Sequence, residues 1–167
     1  MIFKFLSKNF YISFSIVALI YFLDRLTKIY VIQLDKNNLG SDIFNSAYLN
    51  IVLIWNKGIA FGLFSFDESH FYNILSLIIS IIVVILVIMS LKSHGFKRYS
   101  LLMIVGGALG NLHDRIFFNA VPDFIDFHVG NFHWFIFNVS DIFITLGVIS
   151  MIVLELADNK TEKQNND

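Results

Sequence analysis

Five ionisable residues lie in or beside otherwise apolar stretches of this chain: Asp24, Asp114, Arg115, Asp123 and Asp141. Placing such a group in a membrane costs roughly 2.5–3.5 kcal/mol on insertion scales, so those that persist are paired or have a chemical task. Asp141 stands in FNVSDIF, with Asn138 three residues earlier on the same helix face. Asp123 stands in VPDFIDFH behind Pro122, which stiffens the chain and removes one backbone donor. Two carboxylates held close together cannot both ionise easily. They share a proton, and any such pair can act as a general base and a general acid. Each residue also has a plainer reading. Asp141 fits a structural acid paired with Arg115 or Lys28, and Asp123 fits an ordinary interfacial acid. Asp126 points away from Asp123 in an extended chain and is assigned no role.

The densest polar cluster is GGALGNLHDR, residues 106–115. Gly106 and Gly110 form a GxxxG, which lets helices approach closely. Asn111, Asp114 and Arg115, at i, i+3 and i+4, make one polar corner of a helix. Arg115 can neutralise Asp114 or offer its fork of donors to a substrate carbonyl. In NKGIAFG, residues 56–62, Asn56 suits a hydrogen bond to a peptide backbone and Gly58 suits a tight turn. Asp24 and Lys28 are an i, i+4 acid–base pair, read as a structural ion pair at a helix end. The five histidines (70, 94, 113, 128 and 133) form no HExxH and no i, i+4 pair on a helix, so neither a metal nor a cofactor is expected. There is no cysteine, no GxSxG elbow and no glycine-rich phosphate loop, which leaves a Ser or Cys nucleophile without support.

The elements that must position these residues are membrane helices. Of 167 residues, 56% are hydrophobic and only 15% charged, with a mean hydropathy of +0.70. A soluble domain carries about 25% charge, so a soluble globule and a disordered chain are both excluded. The formal net charge is −1 and no basic stripe stands out, which argues against nucleic-acid binding. Apolar runs predict four transmembrane helices, at about 10–31, 71–91, 99–118 and 136–156. They form a single domain over 1–157, followed by a polar tail, 158–167, expected to lack structure. Lys4, Lys8, Lys92, Lys97, Arg98, Lys160 and Lys163 fall on one side, which the positive-inside rule makes cytoplasmic. Both termini are then inside, and segments 32–70 and 119–135 face outward. The first helix has no small-residue cleavage site and reads as an uncleaved anchor. Residues 48–66 are rich in β-branched and aromatic side chains, and predict short strands around a turn, resting on the membrane surface. The fold class is therefore mainly α, with a small extracytoplasmic β-like segment.

In order along the chain, DRLTK (24–28), NKGIAFG, GGALGNLHDR, VPDF and FNVSD resemble the lipoprotein signal peptidase (signal peptidase II) family, from about Asp24 to Asp141. That family consists of four-helix aspartyl proteases of the bacterial inner membrane. The resemblance implies that Asp123 and Asp141 are the catalytic dyad and that Asp114 only supports the site. It implies that Asn56, Asn111, Arg115 and Asn138 contact substrate, and that Asp24, Lys28, Gly58 and Gly110 are structural. The implied substrate is a diacylglyceryl-modified prolipoprotein cut just before its lipid-bearing cysteine, among membrane lipids, with globomycin-type cyclic peptides as inhibitors. Departures from the family pattern are Ser140 for Ala, Lys57 and Ile59 in the NxGAAF block, and Pro122 for an aliphatic residue. Lys57 and Ile59 bear on the surface that covers the substrate. The main rival is a small proton-coupled transporter relaying protons through membrane acids. It leaves unexplained why Asp123 and NKGIAFG lie outside the spans. A metal-dependent membrane hydrolase and a non-catalytic protein of the same fold are the lesser rivals.

Overall fold

The computed structural model describes residues 8–37, 43–58 and 69–166. Lys4 and positions 59–66 of the expected β-like segment, Gly62 among them, lie outside the described residues. The elements run α1 (Lys8–Asn37), β1 (Leu49–Asn56), α2 (Ser69–Lys92), α3 (Gly95–Phe118), β2 (Val121–Val129), β3 (Phe132–Phe137) and α4 (Val139–Asn166). All four helices are long and apolar enough to cross a membrane. Ile78, Ile81, Val84, Val87, Ile88 and Leu91 of α2 are exposed on more than one face. Such a surface suits lipid and not water.

Helix α3 is the centre. In its most apolar stretch 56% of residues are buried, against 11–17% in the other three helices. Glycines set how closely its neighbours approach. A Cβ at Gly107 would stand 2.5 Å from the Ser140 carbonyl oxygen of α4, and one at Gly110 would stand 2.6 Å from Asp24 Oδ2 of α1. Gly147 of α4 answers from the other side, where a Cβ would meet the Ser100 carbonyl at 2.7 Å. Small residues at these crossings let the backbones touch, which is how helices pack where the hydrophobic effect is absent.

Asn119 ends α3 in the left-handed region, at φ 54°, and turns the chain into β2. The sheet is antiparallel in the order β1-β2-β3, so β2 is central. Gly130, at φ 58°, takes the first position of the two-residue turn into β3, where a hairpin of the II′ type needs a positive φ. β3 was not expected. Phe132–Phe137 is a continuous apolar and aromatic run, which periodicity alone cannot assign to strand or helix. α4 consequently begins at Val139, three residues later than the expected 136. Its backbone stays helical to Asn166, through the segment expected to lack structure, because no Gly or Pro follows Gly147 to stop it.

Candidate active site

The residues from Asn138 to Asp141 fix the start of α4. Asn138 Oδ1 accepts from the Asp141 backbone N–H at 3.1 Å, and Asp141 Oδ2 accepts from the Asn138 N–H at 3.1 Å. This is a reciprocal capping box, with Asn138 at the N-cap and Asp141 at N3. The N-x-x-D spacing in FNVSD is its sequence signature and would have set the helix start. The Asp141 carboxylate is thereby locked against its own helix terminus, where backbone N–H groups and the helix dipole favour an anion. Its other oxygen, Oδ1, accepts from Asn111 Nδ2 of α3 at 2.8 Å.

Asp123 is carried by β2, opposite Ile54 of β1. Asn138 Nδ2 donates to its Oδ1 at 2.6 Å and Asn56 Nδ2 to its Oδ2 at 2.9 Å. Asn138 therefore touches both acids. Burial pushes the Asp123 carboxyl up from 3.8 to about 6, and the charge of Asp141 adds to the rise. The two amide donors act the other way, since they favour the ionised form. Asp123, Asp141, Asn56, Asn111 and Arg115 line one cavity of about 230 Å³, walled by Phe135, Phe137 and Ile144 among others.

Arg115 does not neutralise Asp114, one of the two uses its spacing allows. Its Nη2 donates to the Gly58 carbonyl at 3.2 Å and its Nη1 to the Asn111 carbonyl at 3.2 Å. The guanidinium thus fastens the end of β1 to α3. Gly58 N–H in turn donates to Asn56 Oδ1 at 2.8 Å, which orients the amide that reaches Asp123.

Asp114 faces α1 instead. Lys28 Nζ lies 2.7 Å from Asp114 Oδ2 and 2.8 Å from Asp24 Oδ2, and Arg25 Nη2 lies 2.6 Å from Asp114 Oδ1 and 3.3 Å from Asp24 Oδ2. Two acids and two bases form a buried quartet of zero net charge, the arrangement that makes buried charge tolerable. Arg25 was missed in the sequence because its partner Asp114 is on another helix. Lys28 Nζ also donates to Asn111 Oδ1 at 2.9 Å, so a continuous chain of contacts runs from Asp24 through Lys28 and Asn111 to Asp141. Ser140 N–H donates to Asp24 Oδ1 at 3.0 Å and ties α4 to the same quartet. The alternative of Asp141 as a structural acid bridged to Arg115 or Lys28 finds no ion pair among the described residues. Its carboxylate accepts instead from the Asn111 side-chain amide and from the Asn138 backbone N–H.

A family model described as signal peptidase (SPase) II matches residues 16–157. The lipoprotein signal peptidase of Pelagibacter ubique (strain HTCC1062) is 48% identical over 160 residues, covering 95% of this chain and 96% of that protein. The lipoprotein signal peptidase of Anaplasma phagocytophilum (strain HZ) is 42% identical over 147 residues, 87% of this chain and 92% of its own. Among solved structures, a bacterial membrane enzyme determined by the in meso method superposes with a TM-score of 0.72 at 30% identity, over 89% of this chain and 90% of its own.

Proposed function

This chain belongs to the signal peptidase II family, and on that premise we propose that it is an aspartyl endopeptidase whose dyad is Asp123 and Asp141. Membership makes it a peptidase that removes signal peptides from prolipoproteins, which sets the transporter reading aside. The observation that carries the dyad is Asn138. One side chain donates to Asp123 at 2.6 Å and accepts from the backbone of Asp141 at 3.1 Å, and both carboxylates line the same cavity.

Hydrolysis by such a pair needs one shared proton. The ionised carboxylate takes a proton from a water, whose oxygen attacks the scissile carbonyl carbon. The protonated carboxyl gives its proton to the carbonyl oxygen, forming a tetrahedral diol. Collapse of the diol breaks the C–N bond as a proton passes to the leaving amine, and the remaining proton returns to the pair. The site's amides keep both carboxylates in place through this cycle, and that positioning avoids the cost of arranging them at each turnover. Asn56, Asn138 and Asn111 carry most of this work, and Arg115 secures the β1 edge above them.

The substrate is a diacylglyceryl-modified prolipoprotein cut before its lipidated cysteine. A scissile bond next to a lipid anchor cannot leave the bilayer, which fits a dyad where α4 begins and β2 lies against the helix ends. In this reading the chain resides in the bacterial inner membrane with both termini cytoplasmic and the site on the other side. Globomycin-type cyclic peptides would occupy the same cavity.

The test is a gel-shift assay with the full chain in detergent, a diacylglyceryl precursor and globomycin. Wild type cleaves and globomycin blocks it. Asp123→Asn and Asp141→Asn insert normally and leave the precursor intact. Normal processing by either variant removes that residue from the dyad.

A further inference from the structure

The β2–β3 hairpin carries a second cluster, apart from the cavity. Asp126, His128 and His133 each offer one ligand atom, and these atoms lie within 4.8 Å of one another. Strand geometry explains the meeting. Asp126 and His128 are two residues apart on β2 and share a face, the opposite one from Asp123. His128 pairs with His133 across the hairpin, whereas Asp126 pairs with Ile136, so β3 carries one extra residue between these pairs. Cross-strand partners project to the same side, and the two imidazoles stack at 4.9 Å. His133 Nδ1 and Asp126 Oδ2 are 2.8 Å apart, so these two satisfy each other. His128 Nδ1 is different: it is buried and has no hydrogen-bond partner among the described residues. A buried, unpaired imidazole nitrogen is costly unless something binds it.

We propose that Asp126, His128 and His133 form a site for one borderline divalent cation, Zn²⁺ by its chemistry, that ties β2 to β3. Two imidazole nitrogens and a carboxylate oxygen are the donor set that suits such an ion, with a fourth position left for water. A tetrahedral ion with bonds of about 2.1 Å separates its ligands by about 3.4 Å. Closure from the present spacing falls to the His133 ring, whose side chain is 52% exposed and has room to turn. That exposure also gives the ion its entry path. The same hairpin walls an apolar groove of about 510 Å³ that includes Phe127, Phe132, Trp134 and Leu146 and reaches Asp141. A bound ion therefore stiffens the groove wall without touching the dyad.

The experiment uses the full chain in detergent, stripped with chelator and desalted. Zn²⁺ is titrated in competition with a chromophoric chelator, and thermal unfolding is followed with and without the ion. Wild type is expected to take up one Zn²⁺ per chain and to unfold at a higher temperature when loaded. His128→Ala and His133→Ala are expected to weaken binding at least about tenfold and to lose the thermal shift. His133→Gln can still donate to Asp126 but lacks the imidazole, so its loss of binding separates coordination from the ion pair. His94→Ala and His113→Ala should bind like wild type. Wild type binding no more tightly than His133→Gln, or showing no thermal shift that His133→Gln lacks, overturns the site.

Discussion

Asn138 and Asp141 cap each other at the first turn of α4, each side chain accepting the other's backbone N–H at 3.1 Å. The residue proposed to do chemistry is thus also the residue that starts its helix. Its position is set by local chain geometry, and the free Nδ2 of Asn138 extends that geometry to Asp123 at 2.6 Å.

Asn138→Ala should therefore damage catalysis more than folding. Loss of an N-cap costs about 1 kcal/mol of stability, while misplacing both carboxylates costs on the order of 100-fold in rate. The check is kcat against KM for cleavage of a lipidated precursor, beside a thermal melt in detergent. A variant with wild-type kcat would show that Asn138 is a cap and nothing more.

The pH profile of cleavage should carry an inflection near 6, from Asp123, whose carboxyl is pushed up by burial and by Asp141. Asn56 donates to the ionised form and holds the value down. Removing that donor in Asn56→Ala leaves the carboxylate less stabilised, so the inflection moves to higher pH. Profiles of kcat/KM for the two proteins decide it, and an unchanged or lowered inflection contradicts this account.

Lys28→Met should destabilise the fold by roughly 3–5 kcal/mol, because it leaves Asp24 and Asp114, both fully buried, sharing Arg25 alone. The double variant Lys28→Met with Asp114→Leu removes one charge of each sign and should recover most of the loss. Denaturant titrations of the two in detergent measure the difference. Equal destabilisation would mean the quartet is not coupled as its distances imply.

Topology can be read without background labelling, since the chain has no cysteine. Val129→Cys, on the exposed hairpin, should react with a membrane-impermeant thiol reagent added outside cells from which the outer barrier has been removed. Lys97→Cys, in the first turn of α3, should react only after the membrane is opened. The reverse pattern would invert the orientation.

Much of the site was legible in the sequence, though not its wiring. The i, i+4 spacing of Asp24 and Lys28 announced a contact that is present at 2.8 Å, though within α1 and not at its end, since the helix runs on to Asn37. The corner formed by Asn111, Asp114 and Arg115 was visible as one polar face, yet the fold divides it: Asn111 and Arg115 line the cavity, whereas Asp114 turns to α1. Residues three and four apart differ by only a fraction of a turn, so no local rule says which of them meets which neighbour. The pairing of His128 with His133 was invisible because β3 itself was not read as a strand.

By itself, the sequence determined that this is a four-helix membrane protein, which acids are scarce enough to matter, and the order of blocks that marks its family. These follow from apolar run length, charge and short-range spacing, all of which act along the chain. Only the tertiary structure decided that Asn138 serves both acids, that Arg25 completes the buried quartet, and that Asp126, His128 and His133 converge. Hydrogen bonds and ion pairs depend on distances of about 3 Å, and Lys28 meets Asp114 across 86 positions of chain. That separation is closed by helices packing at glycines; the GxxxG spacing marks where a helix can come close, but not which helix does.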